Sequence, residues 1–355
     1  MFRDLRALSF QTIFRNTITA GLILILSILI YSGSVRADYA TILIYHKFDE
    51  EKSPSTSIPI EDFDNQMRYL KENNYNVISL EKLVWHINNR VPFPEKTVVI
   101  TIDDGYRSTM KAFDVLKKYN FPFTVFLYME GVGRYPDFLT KQQLEELKKY
   151  PKITFGNHSY AHKRFGRLIK KMDRDKFRDL IIKDTKKAEK RFKELLGYRP
   201  VYYAFPYGEY NRDYIEILKS LGYKALFTQD PANVSHNISP FLIHRQPIVG
   251  NWGSLDHFIK VLKTEALDVE YHYPDVGFLP QNPLPYIKFK LKDPEKYHRC
   301  EIYVSELGWK WAEREGEYLV WKNPPEFKRD KNRIGIKCRD KKTGKVGTYF
   351  YLTFN

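Results

Sequence analysis

The sequence predicts an α/β fold: a (β/α) barrel, incomplete or distorted, followed by a small all-β, sandwich-like C-terminal domain. Three observations carry this. Short β-branched apolar runs alternate with helical patterns from Thr41 to about Leu267, which implies parallel strands. Polar and acidic residues cluster just after those runs, at the strand ends where α/β folds bind ligands. Beyond a proline-punctuated stretch (Pro274, Pro280, Pro283, Pro285) the periodicity changes to two.

In order, Thr41-Ile42-Leu43-Ile44-Tyr45 reads as a first strand with His46 at its end. Residues 47–59 are turn-rich and read as a loop. Helices follow from Ile60 to Asn74 and from a Ser79 cap through Leu80, Leu83, Val84 and Ile87. Thr97-Val98-Val99-Ile100 is a buried strand leading into Thr101-Ile102-Asp103-Asp104-Gly105-Tyr106, and a helix runs over about 109–119. Phe123-Thr124-Val125-Phe126-Leu127 is the next strand, and Thr140 with Gln143 forms a capping box. Ile153-Thr154-Phe155 ends in Gly156-Asn157-His158-Ser159-Tyr160-Ala161-His162. A charged helix spans about 173–196 and stops at Gly197. Val201-Tyr202-Tyr203-Ala204 precedes Phe205-Pro206-Tyr207-Gly208, Asn211 caps a further helix, and 225–227 and 241–243 read as strands. The C-terminal runs at 287–291, 301–304, 318–321, 333–337 and 348–352 alternate as antiparallel strands.

The domains expected are therefore 1–37, a signal peptide or membrane anchor; 38–267, the α/β domain; and 268–355, a β-rich accessory domain. The first segment has Arg3, Arg6 and Arg15 before an apolar run from Ile18 to Tyr31, then Val35-Arg36-Ala37. This layout predicts export to a periplasmic, cell-surface or extracellular location, with or without membrane attachment. Cys300 and Cys338 either pair there or remain buried thiols; the sequence leaves both open. The formal charge of +15 is spread along the chain without a nucleic-acid motif, so no nucleic acid is expected as partner. A basic surface suits an anionic envelope or a polysaccharide matrix.

His158 and His162 are four apart, so on a helical turn both rings would reach one ion. With Asp104 they form a two-His, one-carboxylate set that leaves a coordination position open, as a hydrolytic metal site requires. Asp103, next to Asp104, points another way and is free to face a substrate.

Thr101-Ile102-Asp103-Asp104-Gly105 and His158-Ser159-Tyr160-Ala161-His162 resemble the first two motifs, T-F-D-D-G and H-[ST]-x-x-H, of the NodB-type polysaccharide deacetylases, carbohydrate esterase family 4. The resemblance implies that Asp103 is the general base and that Asp104, His158 and His162 bind a divalent metal, commonly zinc. Phe205-Pro206-Tyr207-Gly208 resembles the third motif, R-x-P-Y, but Ala204 stands where the family has Arg. This is similar to the branch acting on poly-β-1,6-N-acetylglucosamine, in which the motif holding the catalytic-acid His moves to the N-terminal end as L-x-Y-H. Leu43-Ile44-Tyr45-His46 fits it, so His46 is the implied acid. Leu242-Ile243-His244 matches the unpermuted form and makes His244 the alternative. Arg245 is the candidate replacement for the missing Arg in orienting Asp103, and Tyr207 the candidate backbone donor to an oxyanion. The implied activity is metal-dependent de-N-acetylation of an N-acetylglucosamine polymer. Two alternatives stay open: an O-acetyl esterase on an envelope polysaccharide, and a non-catalytic glycan-binding protein. Tyr106, Tyr160, Tyr207, Tyr210 and Trp252 are candidates to line a sugar groove. Trp309, Trp311 and Trp321 either bind glycan or fill the C-terminal core.

Overall fold

The structure, a computed structural model, describes residues 36–37 and 39–355. The expected leader or anchor lies outside the described residues apart from its last two. No helix among the described residues is long and apolar enough to cross a membrane. Residues 37–355 form one compact unit.

Six parallel strands make the frame: β1 (Tyr39–Tyr45), β2 (Thr97–Asp104), β3 (Phe123–Leu127), β4 (Ile153–Asn157), β5 (Tyr202–Ala204) and β6 (Ala225–Phe227). They lie side by side in sequence order. Helices α1 (Ile60–Glu72), α2 (Leu80–Asn88), α3 (Thr109–Tyr119), α4 (Lys141–Lys148), α5 (Arg174–Leu196) and α6 (Arg212–Ser220) connect them. Their ends follow local chemistry. Ser79, Asp173 and Asn211 cap α2, α5 and α6 through side-chain oxygens that accept a backbone N–H. Thr140 and Gln143 complete the capping box of α4, and α5 stops at left-handed Gly197.

The sheet curls until its ends approach each other. Ile243 bridges to Phe227 of β6, and β8 (Gln246–Pro247) pairs in parallel with β1 at Leu43 and Ile44. The stretch 243–247 thus touches both edge strands and closes a distorted (β/α) barrel. Only Ile243 of the expected 241–243 strand joins the sheet, and the regular pairing falls at 246–247. The short β7 (Val234–Ser235) also pairs with β1, antiparallel.

Alternation along the strands sorts residues between the two faces. Val98, Ile100 and Ile102 of β2 join Leu43, Tyr45, Val125 and Leu127 in a core shared with α1, α3 and α4. Val99 belongs with Ala40, Ile42, Phe126, Ala204 and Phe227 in a second cluster inside the curl. Thr101 and Asp103 continue the parity of Val99. Asp103 is therefore carried into the barrel interior by register alone.

After α7 (Leu255–Lys263) the chain builds two mostly antiparallel sheets. One orders β16 (Val346–Phe354), β15 (Lys331–Asp340), β11 (Tyr297–Val304) and β12 (Gly308–Trp311), with short strands at 265–266 and 277–278 on β16. The other orders β9 (Val269–Tyr273), β10 (Tyr286–Leu291), β14 (Tyr318–Lys322) and β13 (Glu313–Glu315). Ile287, Phe289 and Leu291 of β10 meet Ile302, Val304, Ile334 and Ile336 of the first sheet in one core. That core continues into Phe205, Tyr210 and Tyr214 beside α6. Cys300 and Cys338 form a disulfide between β11 and β15.

Candidate metal and catalytic site

The site gathers at the C-terminal ends of β1, β2, β4 and β5. Asp104 is the last residue of β2 and takes a left-handed backbone (φ +71°), which turns its carboxylate away from that of Asp103. His158 follows β4. Its Nδ1–H donates to the Ala204 carbonyl at 2.8 Å, which leaves Nε2 as the lone-pair nitrogen. Nε2 of His158 and Nε2 of His162 lie 3.3 and 3.0 Å from Asp104 Oδ1.

His158 and His162 do not share a helix face, as their spacing suggests. The segment is an irregular turn with positive φ at Ser159 and His162. Ser159 Oγ accepts the His162 N–H at 2.8 Å. Asp184 of α5 accepts the N–H groups of Tyr160 and Ala161, each at 2.9 Å. Those bonds turn the chain back on itself and bring the two rings together. Nothing local in the sequence marks Asp184, which sits in a run of charged helix residues.

One ligand atom from each of Asp104, His158 and His162 lies within 4.8 Å of the other two. Asp104 Oδ1 and His158 Nε2 are buried without a hydrogen-bond partner, a costly arrangement unless a cation engages them. Two imidazole nitrogens and one carboxylate oxygen suit a divalent transition ion. The donor set therefore fits the metal implied by the sequence motifs.

Asp103 is fully buried. Arg245 meets it in a bidentate pair, Nη1 to Oδ1 at 2.7 Å and Nη2 to Oδ2 at 2.8 Å. The guanidinium also donates to Thr101 Oγ1 (3.1 Å) and the Thr228 carbonyl (2.9 Å), and lies over the Phe126 ring. Gly156 makes room for that ring, because a Cβ there would sit 2.3 Å from it. Burial pushes the Asp103 carboxyl up, but Arg245 and His158 outweigh it and hold it below the usual carboxylate range. Arg245, which meets Asp103, comes from the closing segment of the barrel, while position 204 is Ala.

Of the two candidate acids, His46 stands with this group. It interacts electrostatically with Asp104, Asp103, His158 and Arg245, and its buried Nδ1 has no hydrogen-bond partner. Burial pushes its imidazole pKa down against the pull of the two aspartates. His244 is elsewhere. It lines a cavity of about 370 Å³ with Asn233, Leu242, Asp268 and Tyr349. Burial pushes its pKa down to about 4. Though adjacent in sequence, His244 lines that cavity while Arg245 meets Asp103.

Tyr207 sits in a short 3₁₀ turn with φ +58°, its ring 4.6 Å from that of His162 and beneath Arg164 at 3.9 Å. Glu209 anchors this turn. It is buried and paired with Arg164 (2.6 Å), Arg167 (2.6 Å) and Lys331 (3.3 Å). Tyr106 stacks on Phe138 under Lys47 near the same rim. Two expected sugar-facing rings are instead structural. Tyr210 is fully buried, donating to Asp230 (2.6 Å) and accepting the Leu352 N–H (3.1 Å), because the C-terminal sheet covers it. Tyr160 is buried, and its hydroxyl accepts from Arg134. Trp252 is half exposed and stacks on His257. Trp321 packs against the C-terminal core, whereas Trp309 and Trp311 are exposed.

A buried carboxylate clamped by arginine beside an Asp-His-His set, at the strand ends of a distorted barrel, defines a hydrolase centre. Residues 90–226 match the family model for polysaccharide deacetylases. The chain is 25% identical over 230 residues to the poly-β-1,6-N-acetyl-D-glucosamine N-deacetylase of Staphylococcus aureus, covering 63% of this chain and 78% of that one. A solved structure of IcaB from Ammonifex degensii superposes with a TM-score of 0.55 at 25% identity, over 64% of this chain and 97% of that one. The Streptococcus pyogenes deacetylase PplD, solved in complex with acetate, has the same fold (TM-score 0.56, 21% identity, 64% and 99% coverage). Over residues 90–226 the chain is thus similar to the polysaccharide deacetylases, hydrolases acting on the amide bonds of N-acetyl groups.

Proposed function

We propose that this protein is an exported, metal-dependent de-N-acetylase of a β-1,6-linked N-acetylglucosamine exopolysaccharide. The observation that carries the chemistry is the Arg245-clamped Asp103 beside the convergent Asp104, His158 and His162. The linkage is supported by the relative from Staphylococcus aureus. It is also supported by the position of His46, at the end of β1 and against both aspartates. Export is supported by the leader-like first 37 residues and by the Cys300–Cys338 bond, of a kind that persists in oxidising compartments.

Asp104, His158 and His162 would hold the divalent ion, zinc being the first candidate, which would polarise the acetamide carbonyl and acidify water. Asp103, ionised at neutral pH, accepts the proton of the attacking water. Arg245 keeps that carboxylate charged and fixes its plane. The backbone N–H of Tyr207 is the assigned donor to the oxyanion. His46 gives a proton to the departing nitrogen, so that amide and water yield acetate and a glucosamine unit. Tyr106 and Tyr207 offer ring faces at the rim of the cleft.

The test is acetate release from β-1,6-N-acetylglucosamine oligomers by residues 38–355, with chelator and with zinc restored. Chelator-sensitive release that zinc restores is the expected result. Release from O-acetylated glycans alone would replace this reading with an esterase. Binding without turnover on any acetylated sugar would leave a glycan-binding protein.

A further inference from the structure

The outer face of the sheet formed by β16, β15, β11 and β12 has no role in the chemistry above. Odd-numbered residues of β15 point to it: Lys331, Arg333, Gly335 and Lys337. The first two reach the catalytic half. Lys331 pairs with Glu209, and Arg333 donates to Asp230 (3.2 Å) and to the Gln229 carbonyl (3.1 Å). Gln229 packs so closely on Gly208 that a Cβ there would lie 2.7 Å away. This end of the face therefore abuts the turn that carries Tyr207.

Further along, the face becomes aromatic, with Phe350 buried and Trp309 and Trp311 exposed. Gly335 is paired with Tyr303 on one side and Phe350 on the other, and the Phe350 ring occupies the space a side chain at 335 would take. Trp309 is opposite Tyr303 on β12, with ring centroids 4.8 Å apart, and lies 5.9 Å from Phe350. Lys337 sits over Trp309 at 4.2 Å and pairs with Glu301 at 2.8 Å. Trp311, opposite Glu301, ends the strip. Trp309 is 38% exposed and Trp311 60%. From Lys331 to Lys337 the strand runs about 20 Å, the length of several sugar units.

We propose that this strip is an auxiliary binding platform for the polysaccharide chain, holding sugar units beyond those in the catalytic cleft. The inference rests on the reading of the protein as a polysaccharide de-N-acetylase. A pyranose presents an apolar C–H face and a rim of hydroxyls. Flat rings bordered by a lysine and a glutamate match both, the rings by stacking and the charged pair by hydrogen bonding. The strip is narrow and interrupted by charge, unlike the broad apolar centre of a protein interface. Its start beside Tyr207 lets one extended chain lie on both surfaces.

The experiment compares wild type, Trp309→Ala/Trp311→Ala and Trp311→Ala. Acetate release is measured from a long β-1,6-N-acetylglucosamine polymer and from its dimer, and retention on immobilised polymer is measured in parallel. The double variant should lower the polymer-to-dimer ratio of kcat/KM at least five-fold and weaken retention to match. If it melts below the assay temperature, Trp311→Ala alone decides, with a two-fold fall expected. Wild-type turnover with an unchanged ratio and unchanged retention would overturn the platform and leave the catalytic reading standing. Absence of wild-type release from either substrate would overturn both.

Discussion

Replacing Arg245 by methionine removes the only charge that meets Asp103 in a bidentate pair among the described residues. Both partners are fully buried, so solvent cannot take over. Breaking a buried pair by deleting one member costs about 3–5 kcal/mol, because the remaining charge is stranded. A folded domain has roughly 5–15 kcal/mol in total, so the variant should melt several degrees lower and still fold. The effect on the reaction has a different signature. Burial raises the Asp103 carboxyl and Arg245 is the largest influence opposing it. Without the guanidinium the carboxyl should titrate at higher pH, and the acid limb of kcat/KM should move up by at least one unit, equivalent to about 1.4 kcal/mol. The assay is acetate release from pH 4 to 9 with metal saturating, beside thermal melts. A double variant, Arg245→Met with Asp103→Asn, should recover most of the lost stability because no stranded charge remains. An Arg245→Met enzyme whose acid limb coincides with wild type, or a double variant no more stable than Arg245→Met, would refute the argument.

Three further outcomes are expected. Asp103→Asn should bind metal as wild type does and lose nearly all turnover, whereas His158→Ala should lose both; metal content and acetate release separate them. Asp184→Ala should release the Tyr160 and Ala161 amides and lower metal affinity 10- to 100-fold, read by competition with a chromophoric chelator. His244, with a folded pKa of about 4 against 6.5 for the free group, should destabilise the protein in acid. Between those values the unfolded chain binds a proton that the native state refuses, so stability falls as pH drops, by about 3 kcal/mol at most. His244→Phe should flatten that decline in denaturant titrations at pH 7 and pH 4.5.

The strands were legible because their residue types are extreme: Thr97-Val98-Val99-Ile100 is buried throughout. The helix caps were legible because a single side chain decides each one. The Asp104, His158 and His162 set could be named because its members lie in two short motifs. The reason His158 and His162 meet was not legible, since a left-handed turn held by a distant carboxylate has no local pattern. The contact of Arg245 with Asp103 spans 142 positions and follows from closure of the sheet. Tyr210 looked like a groove residue because nothing near it in sequence shows that β16 lies across it. The facing of His244 and Arg245 depends on the register of β8, which a run of four mixed residues does not set.

The segment that completes the barrel also supplies the counter-ion of Asp103. Asp103 is made early in the chain and Arg245 late, and between them lie five strands, β3 to β7, with their helices. A nascent or truncated chain that ends before the closing stretch holds a buried acid with no guanidinium beside it. Such a carboxyl would take up a proton and be unable to accept one from water. Closure of the ring is thus the condition for a charged Asp103, and an unfinished molecule would be chemically silent.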